Sequence, residues 1–79
     1  MHYVYILESK KDDSRYIGST DDLKIRLTQH NQHNSRYTST KAPYHLIWYC
    51  AFLDKKKALV FEKYLKSSSG FAFRNKHLI

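Results

Sequence analysis

Two short runs of β-branched and aromatic residues near the start of the chain constrain its fold most. Tyr3-Val4-Tyr5-Ile6-Leu7 is followed, after a polar stretch, by Tyr16-Ile17-Gly18. Such residues favour strands, and two short runs separated by a polar segment predict a β-hairpin. The chain is therefore expected to begin with an antiparallel pair of strands.

The turn of this hairpin decides which residues face each other. A turn centred near Lys10 and Lys11 places Tyr5 opposite Tyr16. Alternate side chains of a strand point to the same face, so both phenols are expected on one face of the sheet. Gly18 ends the second run, where a missing Cβ lets the backbone turn or lets a ligand come close.

The middle of the chain predicts one helix and one further strand. Ser19, Thr20 and Asp21 are N-cap candidates for a helix from Asp22 to about Asn31. The continuous aromatic and β-branched run from His45 to Leu53 predicts a third strand, buried on both faces near its centre.

The last third of the chain predicts two helices. Asp54 can cap a helix from Lys55 to about Lys66, which the turn residues Ser67 to Gly70 end. Phe71 to Ile79 is expected to form a short final helix. The predicted fold is α/β, of the α+β kind: a small three-stranded antiparallel sheet flanked by helices, in the order β-β-α-β-α-α.

The length and composition of the chain predict one domain with a polyanionic partner. Residues 1–79 are expected to form a single domain, too small for a deep enclosed pocket, so the site should be open. Fourteen Lys and Arg against seven Asp and Glu give a net charge of +7, which attracts phosphate backbones. The same charge also fits a basic surface that only maintains solubility.

The apolar segments of the sequence indicate no membrane association. The N-terminal apolar run is too short for a signal peptide, and no segment has the length of a membrane span. The single cysteine, Cys50, forms no internal disulfide and is expected to be buried. We therefore expect a cytoplasmic protein.

A carboxylate lies where the second long helix should be apolar. Ala58, Phe61 and Leu65 define the inward stripe of this helix, and Glu62 falls inside it. A buried carboxylate needs a metal ion or a basic partner, because removing its charge from water is costly. The alternative is a partly exposed Glu62 paired with Lys63, Lys66 or Arg26.

The first helix also carries polar residues on its apolar side. Arg26 and His30 are four residues apart and lie on the side of Leu23 and Leu27. An inward arginine offers a fork of donors for a phosphate oxygen, and a histidine can move a proton near neutral pH. A solvated basic face is the other interpretation.

The order of these residues resembles that of a known family. The order is Tyr3-Val4-Tyr5, a spacer, Tyr16-Ile17-Gly18, Arg26, His30, Glu62 and Asn75. It resembles the GIY-YIG nucleases, and most closely their small stand-alone bacterial members, over essentially the whole chain. The first motif reads Tyr-Val-Tyr instead of Gly-Ile-Tyr and keeps its tyrosine.

The resemblance implies a metal-dependent endonuclease that hydrolyses phosphodiester bonds in DNA, with structure selectivity and a role in repair or recombination as further expectations. Glu62 would bind a single Mg2+ or Mn2+. Tyr16 would activate the attacking water, while Tyr5 positions water or relays the proton. Arg26 would bind the scissile phosphate, and His30 would take part in proton transfer. Asn75 would complete the catalytic set, although it could also brace the last turn.

The resemblance also bears on how DNA is held. Larger relatives carry a separate DNA-finding domain that this chain lacks, so weak homodimerisation or a separate targeting partner is expected. The residues expected to contact nucleic acid are Gly18, Arg36, Tyr37, Lys41, Lys55, Lys56 and Lys57. Tyr37 and Tyr44 could stack on bases or simply anchor a loop.

Two other functional classes remain open at this point. A nucleic-acid-binding module with the nuclease fold but little catalysis would explain the charge and the aromatic residues without an inward carboxylate. A purely structural interpretation treats the polar residues as packing and surface, and it leaves their order unexplained. Composition alone does not separate DNA from RNA.

Overall fold

The predicted order of elements is confirmed in a computed structural model, which describes residues 1–31 and 43–79. The fold is a three-stranded antiparallel sheet with three helices. No helix in these two ranges is long and apolar enough to cross a membrane. The elements are β1 (His2–Ser9), β2 (Arg15–Thr20), α1 (Leu23–Asn31), β3 (Tyr44–Phe52), α2 (Lys55–Lys66) and α3 (Ser68–His77).

The sheet has the strand order β2-β1-β3, so the first strand of the chain is its centre. Val4 to Leu7 are buried on both faces of β1. The prediction that β3 is buried on both faces is wrong, since β3 is an edge strand and Tyr49 is 54% exposed. Continuous apolar runs occur in both strands, and only the strand order separates them.

The hairpin register differs from the predicted one by two residues. Tyr5 pairs with Gly18, and Tyr16 pairs with Leu7. The turn lies one residue later than predicted because Ser9 closes it with two backbone hydrogen bonds, and Asp13 adopts a positive φ of 61°. A shift of two residues keeps the same face, so both phenols still lie on one side of the sheet.

Helices cover both faces of the sheet. On one face, Val4, Ile6 and Ile17 pack with Ala58 and Leu65 of α2. The other face bears three more buried side chains and is covered by leucines of α1 together with Leu46 of β3; the buried residues there are Tyr5, Leu7 and Tyr44. The two tyrosines of the hairpin therefore face α1, while α2 and α3 lie on the opposite side.

The N-cap of α1 is not one of the predicted candidates. Asp22 Oδ1 accepts a hydrogen bond from the backbone N–H of Ile25 at 3.1 Å, which satisfies a free donor of the first turn. Ser19 and Thr20 are still paired with β1 and cannot act as caps. Thr20 Oγ1 instead accepts from the backbone N–H of Asp22 at 3.1 Å.

The boundaries of α2 are confirmed, whereas those of α3 differ. Asp54 caps α2 by accepting a hydrogen bond from the backbone N–H of Lys56 at 2.9 Å. Ser67 ends α2 and also caps α3, accepting from the backbone N–H of Gly70 at 3.1 Å. The predicted turn residues Ser68 to Gly70 thus belong to α3. A Cβ at Gly70 would collide with the carbonyl of Tyr64, so the corner requires glycine.

Candidate functional site

A single glycine lets the two motif tyrosines come together. A Cβ at Gly18 would lie 2.5 Å from Tyr5 Oη and 3.0 Å from Tyr16 Cε1, closer than atoms can approach. Gly18 does not adopt a positive φ, so the backbone itself does not demand glycine. The two phenol rings occupy the space that a side chain at this position would need, and their centroids are 6.4 Å apart.

His30 of α1 joins this pair from above the sheet. It is completely buried, and its Nε2 lies 3.0 Å from Tyr5 Oη. Its ring centroid is 5.0 Å from that of Tyr16 and 6.3 Å from that of Tyr44. Burial, followed by the charge of Arg26, lowers the pKa of His30 to about 4, so the imidazole is neutral at pH 7.

The hydroxyl of Tyr5 is held in its protonated form. Burial raises the pKa of Tyr5 to about 12, although an interaction with Arg26 acts in the opposite direction. A phenol and a neutral imidazole therefore share the 3.0 Å hydrogen bond at neutral pH. Tyr5 donates this bond when the His30 proton is on Nδ1, and it accepts when the proton is on Nε2.

Arg26 lies next to both tyrosines on the same side of α1 as His30. Its interaction with the Tyr5 hydroxyl is the largest of the causes that raise the pKa of Arg26, and Tyr16 contributes in the same direction. Its Nη1 donates to Gln29 Oε1 at 3.1 Å. The side chain is only partly buried, so the guanidinium has donors to offer a phosphate beside the phenols.

Glu62 approaches the same part of β2 from the other face of the sheet. Ser19 donates to Glu62 Oε1 at 2.7 Å, and Lys66 Nζ donates to Oε2 at 2.8 Å. Burial raises the pKa of Glu62, but the hydrogen bonds from Lys66 and Ser19 outweigh it, and the pKa lies below its usual value. The side chain of Glu62 is 18% exposed and paired with Lys66. Of the two alternatives that the sequence allows, the structure thus shows the partly exposed carboxylate with a basic partner.

The tyrosines and the carboxylate meet around the edge strand. Ser19 pairs with Val4, whose side chain faces α2, whereas the neighbouring Gly18 pairs with Tyr5. Neighbouring residues of β2 thus direct the tyrosine cluster to one face and the Glu62 contact to the other. The charge of Glu62 still contributes to raising the pKa of Tyr5, so the two groups interact electrostatically.

The oxygen atoms around Glu62 suit a hard divalent cation. Within residues 1–31 and 43–79 there is no group of three or more His, Cys, Asp or Glu residues that could hold a metal ion by themselves. Mg2+ keeps several waters and is commonly bound through one or two carboxylates together with substrate phosphate. The carboxylate of Glu62 and the hydroxyl of Ser19 fit that manner of binding, because both offer oxygen and leave positions for water.

Asn75 lies elsewhere on the molecule. Its Oδ1 accepts from Arg15 Nη1 at 3.1 Å, and Arg15 also pairs with Glu8 at 3.3 Å. Arg15 begins β2, whereas Gly18 and Ser19 lie towards its end. The structure therefore brings Tyr5, Tyr16, Arg26 and His30 together, places Glu62 at the adjacent edge, and places Asn75 in a separate polar cluster.

The residues expected to hold nucleic acid that lie within the described ranges occupy two separate places. Gly18 lies beneath the tyrosine cluster, and Lys55, Lys56 and Lys57 are exposed in the first turn of α2. Arg36, Tyr37 and Lys41 lie outside the described residues. Tyr44 is buried beside His30, so its ring is not exposed for stacking on a base.

Sequence reasoning did not identify two of the contacts in the site. Ser19, which the sequence predicts only as a candidate helix cap, instead contacts Glu62 through its hydroxyl. The side chain of Asn31 brackets Tyr44, accepting from its backbone N–H at 2.6 Å and donating to its carbonyl at 3.0 Å. These two hydrogen bonds fix the end of α1 against the start of β3 and so support the position of His30.

Comparison with known proteins identifies a family and several bacterial relatives. The profile of the GIY-YIG catalytic domain matches residues 1–76. The UPF0213 protein CPE1444 of Clostridium perfringens is 39% identical over 67 residues, which are 84% of this chain and 71% of that protein. A UPF0213 protein of Streptococcus pneumoniae is 40% identical over 65 residues, or 81% of this chain and 65% of the relative.

A solved structure shares the fold. The solution NMR structure of the UPF0213 protein BH0048 from Bacillus halodurans is 35% identical and superimposes with a TM-score of 0.58. The similarity covers 95% of this chain and 82% of that one. Together with the family match over nearly all of the sequence, these relatives show that the chain belongs to the GIY-YIG family of nuclease-type catalytic domains.

Proposed function

We propose that residues 1–79 act as a single domain that hydrolyses phosphodiester bonds in DNA with the help of one Mg2+ or Mn2+ ion. The observation that supports this most is the close grouping of Tyr5, Tyr16, Arg26 and His30 over Gly18, with Glu62 at the adjacent strand edge. A basic protein with this open arrangement suits an extended, negatively charged polymer. A role in repair or recombination belongs to the same proposal.

Glu62 would hold the metal ion, with Ser19 fixing the carboxylate and Lys66 moving aside. When bound, the ion supplies positive charge to a phosphate oxygen and to the charge that develops at phosphorus. Arg26 binds the scissile phosphate from the tyrosine side, and its planar fork is suited to two oxygens. In this scheme the phosphate lies at the β2 edge of the sheet, between Arg26 on one face and Glu62 on the other.

Tyr16 would orient the attacking water. It is more accessible than Tyr5, and its ring packs against His30 at 5.0 Å. Tyr5 and His30 are positioning residues in this scheme, because both are buried and neither is charged at neutral pH. The hydrogen bond between Tyr5 and His30 fixes the ring of Tyr5, and Tyr16 and Arg26 lie next to that ring.

The test is a cleavage assay on labelled branched, single-stranded and duplex DNA with Mg2+, Mn2+ or EDTA. Glu62→Gln and Tyr16→Phe should each abolish metal-dependent cleavage. Glu8→Gln is the matched control, since it removes a carboxylate that pairs with Arg15 away from the tyrosines. It should retain cleavage. Circular dichroism would establish that all variants are folded.

Two results would overturn the proposal. Cleavage that persists in Glu62→Gln would mean that the activity belongs to a contaminant or to another site. Folded protein that binds DNA in a salt-sensitive manner, but cuts none of the substrates with either metal, would identify a nucleic-acid-binding module instead.

A further inference from the structure

An apolar surface groove lies on α2, away from the tyrosines and Glu62. Its volume is about 600 Å3, which is within the range of small-molecule sites. Phe52 at the end of β3 forms one wall, whereas Glu62 contacts β2, and β1 separates these two strands. The remaining lining comes from Lys56, Lys57, Val60, Phe61 and Tyr64.

The groove exposes apolar side chains to solvent. Val60 is 70% exposed, and the neighbouring Leu53 is 89% exposed. The walls also present aromatic rings, with Phe61 and Tyr64 stacked at an interplanar angle of 28° and a centroid distance of 6.3 Å. Contiguous exposed apolar surface on a small protein indicates a place where another molecule binds.

The rim of the groove is positively charged. Lys55, Lys56 and Lys57 occupy the first turn of α2, and this turn contains no acidic residue. The N-terminus of a helix is itself the positive end of the helix dipole, so three lysines there repel one another and the dipole, and the single carboxylate of the cap Asp54 offsets only part of this positive charge. A bound anion would relieve this repulsion. A second copy of the chain would bring the same lysines and increase it.

We propose that this groove binds an unpaired nucleobase of single-stranded DNA, with the flanking phosphates held by Lys56 and Lys57. Aromatic residues interleaved with lysines are the usual means by which proteins hold single strands, since any base can stack on a ring while the backbone follows the positive charge. The inference rests on the proposed function, in that the strand belongs to the substrate of the nuclease. It specifies that substrate as DNA with an unpaired segment next to the cleaved bond.

The test compares two probes of equal charge in EDTA, so that binding is measured without cleavage. One is a fluorescent twelve-nucleotide oligothymidylate, and the other is an oligomer of twelve abasic nucleotides. The wild-type protein should bind the oligothymidylate about 5- to 150-fold more tightly, the range expected when one base stacks on aromatic side chains. Backbone contacts alone would give equal affinities.

Two variants locate the binding to the groove. Val60→Glu places a carboxylate in the groove at an exposed position and should reduce oligothymidylate binding to the level of the abasic probe. Leu59→Glu is the matched control, because it adds the same charge at a 44% exposed position that does not line the groove. Leu59→Glu should weaken the binding of both probes to the same extent, and by less than Val60→Glu weakens the binding of oligothymidylate.

Equal affinity for the two probes, or equal losses in the two variants, would overturn the inference. Tighter binding of an acidic amphipathic peptide, lost in Val60→Glu, would assign the groove to a protein partner. Concentration-dependent dimerisation lost in Val60→Glu would assign it to a second copy. Mg2+-dependent cleavage of the branched, single-stranded and duplex substrates is measured separately, so a failure of the groove is distinguishable from a failure of the nuclease proposal.

Discussion

Replacing Gly18 with alanine should lower the stability of the fold and disorganise the tyrosine pair. Because Gly18 has no positive φ, alanine is compatible with the backbone and by itself would stabilise a strand by about 0.5–1 kcal/mol. The new Cβ would, however, lie 2.5 Å from Tyr5 Oη and 2.7 Å from Tyr5 Cζ. Tyr5 is buried and cannot swing into solvent.

The size of this effect follows from the two opposing contributions. Overpacking a core costs typically about 1–3 kcal/mol, so after the gain of about 0.5–1 kcal/mol is subtracted the net loss in the free energy of unfolding is about 0–2.5 kcal/mol. In a domain of this size, about 1 kcal/mol corresponds to a shift of about 4–8 °C in Tm. Urea unfolding and thermal melts monitored by circular dichroism measure both quantities. DNA cleavage should fall as well, because Tyr5 and Tyr16 must move.

A double-mutant cycle with Tyr5→Phe tests the physical reason. Removing Oη deletes the closest contact of the new Cβ, so Gly18→Ala should cost about 0.5–1 kcal/mol less in the Tyr5→Phe background. The same loss in both backgrounds would show that the collision with the Tyr5 hydroxyl is not the cause. A gain in stability from Gly18→Ala alone would refute the reasoning entirely.

Three further predictions follow from other contacts. Lys66→Gln should tighten Mn2+ binding at Glu62 by up to about fivefold in titration calorimetry, because a partly exposed ion pair is worth up to about 1 kcal/mol, whereas Lys63→Gln should leave it unchanged. The free energy of unfolding should fall by up to about 3 kcal/mol as the pH drops from 6.5 towards 4, because His30 takes up a proton at a higher pH in the unfolded chain than in the folded one. Urea unfolding of His30→Asn should therefore depend less steeply on pH. Gly70→Ala should lower Tm by crowding the Tyr64 carbonyl while leaving cleavage per folded molecule intact.

The elements that sequence predicted well are those set by local residues. Asp54 and the stripe formed by Ala58, Phe61 and Leu65 define α2 completely, and the helix begins and ends where the pattern indicates. The order of strands and helices follows from periodicity in the same way. A cap followed by a periodic apolar face needs no tertiary information.

The elements that sequence misplaced depend on contacts between distant residues. The hairpin register is set by the hydrogen bonds of Ser9 across the turn, and Asp22 becomes the cap of α1 because β2 extends through Thr20. The exposure of β3 follows from its place at the sheet edge, which composition does not encode. Each of these features requires the sheet to be assembled first.

The same distinction, between features set by local residues and features set by distant contacts, applies to the candidate site. The helical spacing of Arg26 and His30 placed them on the side of α1 that meets the tyrosines. Glu62 interrupts an apolar stripe and is therefore visible in the sequence, but its partner Ser19 is 43 residues away and does not follow from spacing. Asn75 lies near the end of α3, where its pairing with Arg15 depends on how α3 returns to β2.

The position of the site at an edge strand resolves a difficulty of small domains. A chain of 79 residues cannot enclose a substrate, and a site on either face of the sheet would be covered by a helix. At Gly18 and Ser19, side chains from both helical layers reach the same stretch of β2 without burying it completely. The buried Tyr5–His30 pair can therefore remain dry, uncharged and preorganised, while Tyr16 and Arg26 beside it and Glu62 on the other face stay partly exposed, as the proposed function requires. A polymer passing along this edge would meet both sides at once, which a pocket on one face would not allow.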